Sequence, residues 1–100
     1  MAVKRQVIFM KAEEVIKETA RLCRVFNAEK VILHGSRAKG TAGEHSDIDI
    51  AVSGVAAANF ELLVQKVEEL PTLYSVDLLN VDTCENELLL EDIRQYGQEI

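Results

Sequence analysis

Apolar side chains recur at Ile8, Ala12, Val15, Ile16, Leu22, Cys23 and Phe26, with Thr19 filling the gap. Spacings of three and four are the helical period, and Lys11, Glu14, Glu18 and Arg21 fall between them. The segment therefore predicts an amphipathic helix ending near Asn27. Lys30-Val-Ile-Leu-His34 is a short β-branched run stopped by Gly35, the pattern of a buried strand. Ser36 to Ser46 is turn-prone, with Gly40, Gly43 and a polar mix from Thr41 onward, and Ser36-Arg-Ala-Lys39 suits the start of a helical turn. Asp47 to Ser53 then alternates, with Asp47, Asp49 and Ala51 on one face and Ile48, Ile50 and Val52 on the other. Period two predicts a strand with one buried side.

A second helix is expected to open at Asn59 or its neighbours, carry Phe60, Leu63, Val64, Val67 and Leu70, and end by Pro71. Ser75-Val-Asp-Leu-Leu-Asn80 predicts a third strand. Asp82 followed by Glu85 has capping-box spacing and is expected to launch a last helix with Leu89, Leu90, Ile93 and Tyr96. The order α-β-β-α-β-α, without internal repeats or linkers, predicts one α/β (α+β) domain over residues 1–100. Its sheet is small and mixed, with three or more strands flanked by helices.

The chain has 100 residues, 48% hydrophobic and 28% charged, which suits a single folded domain with a small core. Its formal charge is −6, from 17 acidic and 11 basic residues. No basic run exceeds the Lys4–Arg5 pair, so no tightly held long nucleic acid is expected. The acidic surplus suits a cytoplasmic protein or one that docks on a basic partner. Cys23 and Cys84 lie far apart without metal or redox spacing, and Cys23 reads as a buried hydrophobe, so a reducing compartment is the simplest assumption. No apolar stretch approaches the roughly 20 residues of a membrane span, and the N-terminus lacks a signal-peptide core.

Three features bear on chemistry. Asp47 and Asp49 place like charges roughly 7 Å apart on one face of a strand. That arrangement suits either a solvated face or a metal site. Gly35 and Ser36 end a buried strand at its carboxyl end, where ligands of α/β sheets gather. Glycine allows close backbone approach to a phosphate, although Gly-Ser-Arg is also ordinary turn chemistry. Asp77 sits among Val76, Leu78 and Leu79, a position for an acid that binds something or lies at a sheet edge. If Asp77 neighbours the Asp47–Asp49 strand, three carboxylates gather, and hard oxygen donors select Mg²⁺ or Mn²⁺.

Gly35-Ser36, ten intervening residues, then Asp47-Ile48-Asp49 resembles the signature of the polymerase-β nucleotidyltransferase superfamily. The fuller strings Gly35-Ser-Arg-Ala-Lys-Gly40 and Ser46-Asp-Ile-Asp-Ile50 resemble its minimal nucleotidyltransferase (MNT) branch, and the resemblance spans nearly the whole chain. It implies the nucleotidyltransferase fold and two-metal transfer of AMP from ATP, with two Mg²⁺ ions (or Mn²⁺) held by Asp47, Asp49 and Asp77. It also implies that Asp77 assists deprotonation of the attacking hydroxyl. Gly35 and Ser36 would hold the β- and γ-phosphates, with Arg37 and Lys39 as electrostatic support.

Minimal nucleotidyltransferases of this kind resemble the antitoxin half of toxin–antitoxin pairs. The implied partner is a HEPN ribonuclease toxin, AMPylated on a tyrosine, in a hetero-oligomer or beside a homodimer mate. Two other outcomes stay open: a binding module that silences its partner by complex formation alone, and transfer to a small molecule such as an aminoglycoside. His34 is expected to pack at the strand end beside the loop, and His45 to be solvated. Tyr74 and Tyr96 are too isolated for a base-stacking platform. Leu88-Leu89-Leu90 exceeds what one helical face needs, and the surplus suits a partner interface.

Overall fold

The computed structural model describes residues 9–100; Ile8 and the Lys4–Arg5 pair lie outside them. Helix α1 spans Ala12–Val25. At its start the Lys11 amide donates to Glu14 Oε1 at 3.2 Å, satisfying one of the donors a helix N-terminus leaves unpaired. At its end Asn27 takes a left-handed φ of 67°, and the Ala28 amide reaches back to the Cys23 carbonyl at 3.0 Å. Asparagine tolerates that conformation better than other side-chain-bearing residues, so the helix stops where the sequence predicts.

Strand β1 (Lys30–His34) leads directly into a five-residue helix, α2 (Gly35–Lys39). Strand β2 (Ile48–Ser53), helix α3 (Ala57–Glu68) and strand β3 (Val76–Asn80) follow. A 3₁₀ turn (Val81–Thr83), helix α4 (Glu87–Tyr96) and a two-residue strand β4 (Gln98–Glu99) complete the chain. The four strands lie in the order β3-β2-β1-β4. β1 runs antiparallel to both β2 and β4, and β2 runs parallel to β3 across the α3 crossover. The sheet is therefore mixed, as the sequence predicts.

The main core fills one face of this sheet. Val31 and Leu33 of β1 and Ile48, Ile50 and Val52 of β2 meet Val15, Ala20 and Cys23 of α1 and Leu63 and Val67 of α3. The expected alternation of β2 holds for its three branched residues. Ala51 departs from it, being fully buried on the other side. That side is covered by the α4 region, which approaches so closely that a Cβ on Gly97 would lie 2.6 Å from Ile32 Cγ2.

Two expectations need correction. Asp82 does not cap the last helix: the Asn86 side chain accepts from the Leu89 amide at 3.1 Å, while Asp82 Oδ2 accepts from the Gly54 amide at 2.8 Å. Asp82 is held in the 3₁₀ turn by its own amide, which donates to Asn80 Oδ1 at 3.0 Å, so it lies too early in the chain to cap α4. The second helix ends at Glu68, before the proline assigned to stop it.

Candidate active site

The carboxyl end of β1 meets the amino ends of β2 and β3, because β2 runs antiparallel to β1 and parallel to β3. Their register pairs His34 with Asp49 and Asp49 with Asp77. Adjacent strands lie about 4.8 Å apart, and side chains paired across a ladder share a face. His34, Asp49 and Asp77 therefore form a row on the face opposite the main core. Asp47 stands one residue ahead of β2 and is exposed. β3 is the edge strand and Asp77 is exposed, so its acid occupies an edge as well as the place beside Asp49.

Gly35 closes the row. Its φ is +69°, and a Cβ there would lie 2.3 Å from Asp49 Oδ2 and 3.1 Å from Asp49 Cγ. Any side chain would meet both backbone strain and the carboxylate. The Gly-Ser turn is thus the gap that lets the phosphate-type loop come down onto Asp49. Beyond it the Ser36 carbonyl accepts the Thr41 amide at 3.0 Å, and Gly40 ends α2 at a left-handed φ of 75°. Among the described residues the Ser36 hydroxyl makes no hydrogen bond and stays available to a ligand.

The two basic residues of α2 are engaged elsewhere. Arg37 Nη2 donates to the Ser46 carbonyl at 2.7 Å, and the guanidinium lies 5.2 Å from the Tyr74 ring centroid. Lys39 Nζ pairs with Asp92 Oδ1 at 2.9 Å and lies 5.1 Å from the Tyr96 ring centroid. Both were expected to lend electrostatic support beside the Gly35–Ser36 turn, and each also contacts a partner outside the row. Tyr74 and Tyr96 each have a cation over the ring.

Burial holds the Asp49 carboxyl above its ordinary pKa, with Asp77 and Asp47 adding to the shift and His34 opposing it. His34 is 7% exposed, and burial pushes its imidazole below the ordinary value against the pull of Asp49, Asp77 and Asp92. The expectation that His34 packs at the strand end holds. The sequence did not reveal that its Nε2 is buried without a partner beside Asp49. The signal was available in the alternation, which puts His34 opposite Leu33 and on the face of the acids.

Among the described residues no three His, Cys, Asp or Glu side chains converge closely enough to form a ready-made metal cage. Mg²⁺ rarely uses such a cage; it keeps waters and is bound by one or two carboxylates together with phosphate oxygens. A row of hard oxygen donors, one held off its ordinary pKa by burial and its acidic neighbours, fits that requirement.

The family model described as "Polymerase beta, Nucleotidyltransferase" matches residues 11–100. The chain belongs to the polymerase-β nucleotidyltransferase family. No curated protein matches it. Several solved structures share the nucleotidyltransferase fold. One is a mutant MntA–HpeT toxin–antitoxin complex, 27% identical with a TM-score of 0.63, over 84% of this chain and 69% of that one. A toxin–antitoxin structure with AMP-PNP is 24% identical with a TM-score of 0.63, over 84% and 70% of the two chains. A third, a tri-AMPylated HEPN toxin from Shewanella oneidensis in complex with its MNT antitoxin, is 20% identical with a TM-score of 0.58, over 87% and 69%. In this nucleotidyltransferase the Gly35–Ser36 turn and the carboxylates Asp47, Asp49 and Asp77 share one end of the sheet. No described helix is long and apolar enough to cross a membrane.

Proposed function

We propose that this chain transfers AMP from Mg²⁺–ATP to a protein hydroxyl, the acceptor being a tyrosine of a HEPN toxin that it thereby neutralises. The observation that carries the reading is the Asp49–Asp77 register beside Gly35, which brings a phosphate-type turn and two acids to one spot. The Gly35 amide and the Ser36 hydroxyl bind the β- and γ-phosphates. Asp47, Asp49 and Asp77 would hold the metals and, through them, the triphosphate. Two Mg²⁺ ions (or Mn²⁺), when bound, supply Lewis-acid stabilisation of the attacking and leaving oxygens. The acceptor oxygen bonds to the α-phosphorus, its proton passes to the Asp77 carboxylate, and the bond to the β-phosphate breaks to release pyrophosphate. Arg37 and Lys39 lend positive charge beside this turn, Arg37 while bonded to Ser46 and Lys39 while paired with Asp92.

The partner is inferred from the toxin–antitoxin complexes that share the fold and from the net charge of −6, which suits a basic surface. Two free cysteines and the use of ATP suit the cytoplasm. A second reading, silencing by complex formation alone, draws on the same net charge of −6, which suits a basic partner with or without chemistry.

The test mixes the chain, its HEPN partner, Mg²⁺ and ATP labelled at the α-phosphate. Label on the partner that is lost in the Asp47→Asn/Asp49→Asn double variant is the expected result. A tight complex without label, with neutralisation surviving the double variant, would overturn transfer in favour of binding.

A further inference from the structure

Arg37 reaches three parts of the site at once. It belongs to the turn that follows Gly35–Ser36; its Nη2 donates to the Ser46 carbonyl at 2.7 Å; and its guanidinium covers the Tyr74 ring at 5.2 Å. Ser46 immediately precedes Asp47, and the peptide between them is planar, so fixing that carbonyl fixes the position of the Asp47 amide and Cα. Tyr74 stands three residues ahead of Asp77, and the next residue, Ser75, accepts the Ile48 amide at 2.9 Å.

Asp47 itself lies outside the β2 ladder and is exposed. Ser46 is also bonded inside its own turn, where its hydroxyl accepts the Gly43 amide at 2.8 Å. Those local bonds shape the turn but do not tie it to the rest of the fold. The Arg37 contact does.

The same geometry leaves Arg37 poorly placed to grip a nucleotide. One terminal nitrogen is spent on Ser46, Nε is buried without a hydrogen-bond partner, and one face of the guanidinium lies over Tyr74, which leaves Nη1 alone to reach outward.

We infer that Arg37 is a positioning residue, a strap that holds the loop bearing Asp47 against the segment leading to Asp77, and not a phosphate ligand. The inference rests on the nucleotidyltransferase reading for its consequence, since the strap matters to catalysis only if Asp47 binds metal. A planar, stacked guanidinium is required for it. Lysine, a point charge, satisfies a phosphate but cannot both donate along the Ser46 carbonyl and cover the Tyr74 ring in the same way.

The test compares wild type with Arg37→Lys, Arg37→Met, Tyr74→Leu and Tyr74→Phe. Amide exchange over residues 43–47 reads the strap, with exchange in α1 as the control for folding. Mn²⁺ affinity by electron paramagnetic resonance and ATP affinity in EDTA read the two candidate roles. Arg37→Met, Arg37→Lys and Tyr74→Leu are expected to speed loop exchange and weaken Mn²⁺ binding about tenfold, the usual cost of losing a group that orients a metal ligand. ATP binding without metal stays at the wild-type level, and Tyr74→Phe, which keeps the ring, behaves as wild type.

Unchanged loop exchange, with metal-free ATP binding lost in Arg37→Met and restored in Arg37→Lys, would overturn the strap and make Arg37 a phosphate ligand. Wild type that binds neither Mn²⁺ nor ATP would defeat the transferase reading instead, and the strap would then stand or fall on the loop exchange.

Discussion

Asp49 of β2 and Asp77 of β3 stand directly opposite each other in parallel register. Like charges so placed work against the sheet that carries them. Burial adds to the cost at Asp49, whose carboxyl is held above its ordinary pKa of 3.8. Between the ordinary value and the raised one, the folded chain holds a proton that the unfolded chain has released. Stability contributed by this group is present at low pH and is lost as pH rises from about 3.8 through the raised value. In EDTA, Asp49→Asn is expected to stabilise the fold at pH 7 by on the order of 0.5 kcal/mol and to lose most of that advantage in acid. Urea unfolding at the two pH values checks this. The same variant should lose Mn²⁺ affinity, the exchange of function for stability common at such sites.

Gly35→Ala tests the turn. The added methyl would meet Asp49 Oδ2 at 2.3 Å in a backbone held at φ +69°. A non-glycine residue in that region costs about 1–2 kcal/mol, and the carboxylate must also move. Both unfolding free energy and Mn²⁺ affinity should fall, whereas Gly43→Ala, where a Cβ would meet only Ser46 Oγ at 3.6 Å, should change unfolding little.

The two cysteines should separate cleanly. Burial pushes the Cys23 thiol up to about 11, and the residue is fully buried in α1. At pH 8 it stays protonated and screened from reagents. A disulfide reagent is expected to titrate Cys84, which is half-buried, and to reach Cys23 only after denaturant is added. Two equivalents reacting at equal rates in the native protein would contradict the packing of α1.

Elements with strong periodicity were legible in the sequence, since each buries one face against the sheet, α1 and α3 on one side and α4 on the other. The limits appeared where local chemistry has more than one solution. Asp82 and Asn86 both suit a helix start, and the choice fell to Asn86 because the turn from Asn80 uses Asp82 to hold Gly54. Asn86→Ala should therefore cost about 1 kcal/mol and speed exchange at the Leu89 amide, while Asp82→Ala should affect the Gly54 amide and leave α4 alone. β4 was invisible because Gln98–Glu99 is polar, exposed and only two residues long. At the site, spacing exposed Gly35, Ser36, Asp47 and Asp49. The place of Asp77 needed the strand order, and the engagement of Arg37 and Lys39 needed partners 9 and 53 residues away in the chain.

The central claim is that one end of the sheet holds a nucleotide by its metals and phosphates together. A crystal grown with Mn²⁺ and a non-hydrolysable ATP analogue, measured at the manganese absorption edge, tests it most directly. The account predicts anomalous peaks bounded by Asp47, Asp49 and Asp77, with the triphosphate on the Gly35–Ser36 turn and Arg37 still on Ser46 and Tyr74. Manganese absent from that row, or a triphosphate bound elsewhere, would contradict it.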